Sequence, residues 1–273
     1  MKRNIVTLDE LKRKGVLNRI AVLTQIWKAG KGHIGGTFSC IDLLTVIYYQ
    51  FMEISKENLK SDERNRFLIG KGHACLAIYN ILDDMGFFEF DLLKEYKKDG
   101  GFIGGQMDIR VPGVETNTGS LGHALGMGCG LALGAQLDSK LFKTFVLLGD
   151  GECDEGAIWE SVYFAGQNKL SNLYVIIDRN WQTVTEKINV QKQISSLEEK
   201  FKSAGWNVST IDGHNYEEII SAMSNETNQP KVIIADTIKG KGVSFIENGI
   251  AWHHTVPKDS QYHSALNELK AKL

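Results

Sequence analysis

The sequence predicts an α/β domain, a parallel sheet with helices on both faces. Three observations predict it. Short apolar runs of strand length alternate with segments of helical periodicity along the 273 residues. Two of these runs, at 145–148 and 173–177, each end in a polar loop, Gly149-Asp150-Gly151-Glu152 and Asp178-Arg179-Asn180. Asn180 follows Asp150 by thirty residues, which suits a strand, a crossover helix and a parallel neighbouring strand. Asp150 and Asn180 would then emerge at the carboxyl ends of adjacent strands, where open α/β sheets place ligands.

The elements are expected in this order. A helix covers 8–29, with Leu11, Ile20, Leu23 and Trp27 on its apolar face. A Gly-rich loop at 30–36 precedes a second helix at 40–51. A strand at 66–69 leads into the loop at 70–73, and a helix follows at 74–85. Residues 97–121 read as one long loop with six glycines, and loops of that length inside a domain are usually functional. A helix at 121–137 carries Gly122, Gly126, Gly130 and Gly134 at four-residue intervals. Each interior Gly costs about 1 kcal/mol relative to Ala. A smooth face for close packing would offset this cost, either on the chain's own sheet or across a subunit boundary. A small-residue helix starts near Gly156, later strands fall at 206–211 and 231–237, and a last helix covers 259–272. The whole reads as one domain, residues 1–273, with an N-terminal helical extension.

Composition limits the partners. A net charge of −2 gives no reason to expect nucleic acid or an anionic membrane surface. No run of eighteen apolar residues suggests a membrane span, and the start lacks the pattern of a signal peptide. Cys40, Cys75, Cys129 and Cys153 form no CxxC pair and read as reduced, mostly buried thiols of a cytoplasmic protein.

The residue types at the two strand ends suit a divalent cation. Mg²⁺ takes hard oxygen ligands in octahedral geometry and shares them between a few protein oxygens and substrate phosphates. Asp150 offers a carboxylate, Asn180 an amide oxygen, and the backbone carbonyl of Gln182 a third ligand. Gly151 allows close approach of the backbone to a phosphate oxygen. A Gly-Asp-Gly turn alone is common in loops; Asn180 at this spacing makes the pair informative.

Here the chain resembles the thiamine-diphosphate enzymes, whose cofactor motif runs from Gly-Asp-Gly to an Asn about thirty residues on. Within that group it resembles the amino-terminal part of a transketolase. The resemblance rests on Gly32-His33-Ile34-Gly35-Gly36, Lys71-Gly72-His73-Ala74, Pro112-Gly113-Val114-Glu115, Thr118-Gly119-Ser120-Leu121-Gly122-His123 and the stretch 149–156, in the family's order. It implies thiamine diphosphate with Mg²⁺ (or Ca²⁺), and transfer of a two-carbon ketol unit from a ketose donor to an aldose acceptor. It implies that His33 contacts the donor sugar and His73 the diphosphate. His253, in Trp252-His253-His254, would reach diphosphate and substrate oxygens, and His33 and His253 become the candidates for proton transfer. Lys71, Lys239 and Lys241 are cationic candidates for the diphosphate. Gly119, Leu121, Val184 and Ile238 match positions near the thiazolium ring, and Glu155 matches a buried carboxylate near a subunit interface.

Two departures stand out. The loop before Pro112 lacks the substrate histidine that many transketolases carry; Gln106 is the nearest substitute. Gln can hydrogen-bond a sugar hydroxyl but cannot shuttle a proton near neutral pH, and the donor's identity stays open. The second departure is that no segment matches the family's pyrimidine-binding half, which supplies a glutamate to the cofactor. The expected protein is therefore one subunit of a split transketolase, with that half on a separate chain and two copies of each in the assembly. Alternatives are the α subunit of a 2-oxo acid dehydrogenase, a deoxyxylulose-phosphate synthase, and a non-catalytic nucleotide-binding or scaffold subunit.

Overall fold

A computed structural model of the chain describes residues 6–89, 91, 94, 96, 98–101, 103–182 and 196–273. Five strands form one parallel sheet: β1 (Arg66–Ile69), β2 (Thr144–Gly149), β3 (Leu173–Arg179), β4 (Asn207–Asp212) and β5 (Lys231–Asp236). Their order across the sheet is β1-β2-β3-β5-β4, every pairing parallel. In the central strand β3 every residue is buried, the mark of a strand covered on both faces.

Side-chain alternation along the strands divides the core into two layers. Phe67, Ile69, Phe145, Leu147, Tyr174, Ile176, Ile233 and Ala235 face one helical layer. It consists of α1 (Leu8–Ala29), α2 (Ile34–Ser39), α3 (Ile41–Val46), α4 (Cys75–Asp84), α8 (Tyr216–Ser224) and α9 (Asp259–Lys270). Leu68, Val146, Leu148, Val175, Ile177, Val232 and Ile234 face the other. There lie α5 (His123–Leu137), α6 (Gly156–Gln167) and α7 (Leu197–Ser203). The expected doubly covered parallel sheet is what forms.

Local chemistry sets the boundaries. Thr7 caps α1 by accepting from the Glu10 amide, and Gly30 ends it at φ 64°, a left-handed conformation that Gly adopts at little cost. The helix expected at 40–51 is α3 continued by one π-helical turn, Ile47–Phe51. The loop expected through Gly36 is already helical from Ile34. The helix expected from Leu121 starts at His123, because Gly122 sits at φ 87°. All four cysteines are free and buried. Among the described residues no helix is long and apolar enough to cross a membrane.

The glycine line of α5 looks away from the sheet. Gly128 is the one against it, where a Cβ would come 2.5 Å from Val146 Cγ2. Space is open around Gly130 and Gly134. Met127 and Leu137 on α5, and Tyr163 and Phe164 on α6, are exposed beside this face. Packing on the chain's own sheet therefore does not account for the glycine line.

Candidate active site

The site lies at the carboxyl ends of β1, β2, β3 and β5, where several loops converge. Asp150 follows β2 and Asn180 follows β3, and the two strands pair in register from Thr144↔Leu173 to Gly149↔Asp178. Asp150 Oδ1 accepts from the Gly151 amide (2.9 Å) and Oδ2 from the Trp181 amide (2.6 Å), so the carboxylate bridges the two loops. Trp181 adopts φ 59° immediately after Asn180. That backbone is strained for a non-Gly residue, a state that tends to mark functional sites. Burial, and then the neighbouring Asp178, raise the Asp150 carboxyl to about 6.

Asp150 is nine-tenths buried, and the Asn180 Oδ1 and Gln182 Oε1 atoms are buried with no hydrogen-bond partner among the described residues. Such oxygens are costly unless something fills their lone pairs. Among the described residues no three His, Cys, Asp or Glu side chains stand close enough to hold an ion alone. The donor set therefore fits a hard cation that takes its remaining oxygens from a diphosphate.

Four histidines line the mouth. His33 precedes α2, His73 follows β1 in a 3₁₀ turn (Gly72–Ala74), and His253 and His254 end another 3₁₀ turn (Ile250–His253) and the residue after it. The His33 ring centroid lies 5.1 Å from that of His73, 5.6 Å from His253 and 4.5 Å from His254. Burial, Lys71 and His33 hold His73 well below the usual histidine value. Burial and Lys239, with help from Lys71, bring His253 down to about 4. Both rings are thus held neutral near pH 7.

The glycines of the Gly32–Gly36 motif let these loops meet. A Cβ on Gly36 would lie 3.1 Å from His73 Nε2, and one on Gly35 3.0 Å from the Trp252 carbonyl. Gly35 also accepts from the Gly240 amide (3.0 Å), tying α2 to the loop that bears Ile238 and Lys239. Gln106 packs on the same floor: its Oε1 would meet a Cβ on Gly72 at 2.7 Å and one on Gly119 at 3.1 Å. The hydroxyl of buried Tyr79 donates to the Gln106 carbonyl (2.9 Å) and accepts from the Asp108 amide (3.1 Å), which fixes this stretch without regular structure.

One expectation is corrected. Lys71 is buried, and its ammonium pairs with Asp178 and donates to the Gly36 carbonyl (2.7 Å), so its charge is balanced within the protein rather than free for a diphosphate. Burial opposes the charge on Lys71, but Asp178 more than offsets it and the ammonium is held above its usual value. Asp178 also accepts from Ser39 (2.6 Å) and Thr237. Glu155 is exposed on this chain, at the start of α6, as a carboxylate that waits for a subunit interface would be. The carboxylate buried within this chain is Glu152, which accepts from the Gly122 (2.9 Å) and Gly149 (3.1 Å) amides and fills the space beside Gly70. Lys239 is buried beside Gly35, Ile238 lies in the same loop, Gly119 sits at φ 135° and Leu121 is exposed at the rim. Val184 lies outside the described residues. Sequence reasoning missed Glu152, Asp178 and His254; the last adjoins His253 and could have been taken with it.

The arrangement is an oxygen-lined corner at the carboxyl edge of a parallel sheet, open to a histidine-lined cleft. Residues 12–269 match the family model described as transketolase, thiamine diphosphate binding domain. The chain is 36% identical over 269 residues to an apulose-4-phosphate transketolase subunit of Phocaeicola vulgatus, covering 97% of this chain and 96% of that one. It is 35% identical over 268 residues to the 6-deoxy-6-sulfo-D-fructose transketolase subunit SqwG of a Clostridium species, covering 96% of each. The mouse transketolase matches at 32% identity over 247 residues, which are 90% of this chain and 40% of that protein. Among solved structures, Campylobacter jejuni transketolase superposes with a TM-score of 0.91 at 26% identity, covering 97% of this chain and 43% of that one. The chain belongs to the transketolase family and is a thiamine-diphosphate-binding transketolase subunit. The alternatives of a 2-oxo acid dehydrogenase, a synthase or a scaffold fall away.

Proposed function

We propose that this chain is the cofactor-clamping half of a two-chain transketolase, in which a separate subunit supplies the pyrimidine-binding domain and two copies of each assemble. The orphaned, buried Asn180 amide oxygen beside Asp150 carries the reading, because a cation shared with a diphosphate satisfies both. Asp150, Asn180 and the Gln182 carbonyl would hold Mg²⁺ or Ca²⁺. When bound, thiamine diphosphate supplies the electron sink for cleaving and remaking a bond beside a carbonyl.

The chain's own residues then bind and orient. His73 approaches the diphosphate as a neutral donor, and the buried Lys239 adds positive charge beside it. His33 and His253, less than 6 Å apart, accept and return hydroxyl protons of the sugar. Gln106 hydrogen-bonds a donor hydroxyl without taking its proton. The closely similar relatives named for apulose-4-phosphate and 6-deoxy-6-sulfo-D-fructose support a specialised ketose donor. Their names as subunits, with matches over 96% of their length, support the separate partner.

The test is reconstitution. The purified chain with thiamine diphosphate and Mg²⁺ should transfer no ketol unit from a panel of ketoses to aldehyde acceptors until a chain resembling the pyrimidine-binding half is added. Robust turnover by the isolated chain would overturn the two-chain reading.

A further inference from the structure

The loop from Thr237 to Gly242 has no regular structure, yet it carries Ile238 and Lys239 into the cofactor site. Both ends of it run to one buried carboxylate. Asp42, on α3, forms a two-pronged pair with Arg19 of α1 (2.7 Å on each oxygen). The Arg19 Nε then donates to the Lys241 carbonyl (2.9 Å), holding the far end of the loop. On the near end, His214 Nδ1 meets Asp42 Oδ2 at 2.8 Å, and the Ile238 amide donates to His214 Nε2 at 2.8 Å. The Tyr216 hydroxyl donates to Asp42 Oδ1 (2.7 Å), on the side of the carboxylate away from Ile238.

The hydrogen-bond directions fix the histidine. An amide N–H can only donate, so Nε2 must be the accepting nitrogen and Nδ1 carries the proton given to Asp42. Asp42 is suited to hold it: burial works against its charge, but Arg19 and the hydrogen bond from His214 pull its carboxyl far below the usual range. Buried pairs of this kind are poor sources of net stability and are often kept for the geometry they impose.

We propose that His214 is a positioning residue for the cofactor site, an Asp42-oriented acceptor that sets the Ile238 amide and so the path of residues 238–242. The inference rests on reading Ile238 and Lys239 as part of the thiamine diphosphate site. The relay parallels metal sites where a carboxylate fixes the tautomer of a histidine that in turn holds something else.

Two substitutions separate the two ends of the ring. In His214→Gln the amide oxygen takes the place of Nε2 and can still accept from Ile238. In His214→Asn the amide reaches only as far as Nδ1, so the bond to Asp42 survives and the tether is lost. Tyr216→Phe removes a bond to Asp42 and leaves the His214 tether in place. Amide hydrogen exchange of the 237–242 peptide should rise roughly five- to tenfold in His214→Asn, the equivalent of about one hydrogen bond. It should stay near wild type in His214→Gln and in Tyr216→Phe, even where Tyr216→Phe lowers Tm. In the assembled complex, His214→Asn should weaken thiamine diphosphate binding by a similar factor while His214→Gln restores it. The proposal fails if His214→Asn exchanges like wild type, if Tyr216→Phe loosens the loop equally, or if a loosened loop leaves cofactor affinity unchanged. A wild-type complex that binds no thiamine diphosphate would instead refute the functional reading, and the exchange comparison would still decide the tether.

Discussion

Replacing Asp150 by Asn keeps the side chain's size and removes its charge, which separates what this carboxylate costs the fold from what it does for a cation. Burial and the Asp178 charge raise its carboxyl from the usual 3.8 to about 6. At 1.36 kcal/mol per unit, the difference is worth about 3 kcal/mol between the protonated and ionised forms. The sign follows from the direction. A carboxyl with a raised folded value binds its proton more tightly when folded, so its contribution is fully present below about pH 3.8. It is lost as the pH climbs through about 6. The metal-free wild-type chain should therefore lose about 3 kcal/mol across that window that Asp150→Asn does not lose. The Asn amide accepts from only one of the Gly151 and Trp181 amides, a cost of about 1–3 kcal/mol that is independent of pH. Urea unfolding of both chains with chelator, at several values between about pH 4 and pH 8, isolates the titrating part in the difference. Stability curves that stay parallel across this range would refute the claim that Asp150 is held ionised only at a cost. Mg²⁺ with thiamine diphosphate should stabilise the wild-type complex at about pH 8 and leave the Asn complex nearly unaffected.

Other outcomes follow from the same contacts. Gln106→Ala should lower kcat/KM for the true donor by the worth of one hydrogen bond, about 1 kcal/mol or roughly fivefold, with cofactor affinity unchanged; equal kinetics on every donor would make Gln106 a plain loop residue. Lys71→Met should destabilise the chain by about 3–5 kcal/mol, because Asp178 would be left buried and unpaired. In that background Asp178→Asn should recover much of the loss, measured by thermal and urea unfolding; no recovery would contradict the pairing.

Much of this architecture is legible in the sequence. The runs that become β2 and β3 are continuous apolar stretches because both faces are covered, and their polar endings mark the ligand edge of the sheet. α7 and α8 leave little periodic trace: each is under ten residues, and what defines them are caps, Ser196 with Glu199 and Asn215 with the Glu217 and Glu218 amides. The long loop is legible from its glycines, but not that Tyr79 holds it at Gln106 and Asp108. Site residues that belong to a motif come together as the motif implies; those set by burial do not announce themselves. Glu152 and Glu155 differ by one 3₁₀ turn, Gly151–Asp154, and only the folded turn decides which carboxylate is buried. Lys71 and Asp178 meet because β1 and β3 flank β2, a register no local pattern states. The pairing of Asp42 with His214 spans 172 positions and depends on α3 packing against α8.

The central claim is that Asp150 and Asn180 clamp a cation against a diphosphate. Calorimetric titration of thiamine diphosphate and Mg²⁺ into the assembled complex tests it most directly, with wild type, Asp150→Ala and Asn180→Ala compared. Loss of a directly bound oxygen should weaken binding by more than the roughly 10–100-fold that outer partners contribute, with each variant still folded by circular dichroism. Folded variants that bind cofactor and metal as tightly as wild type would contradict the account.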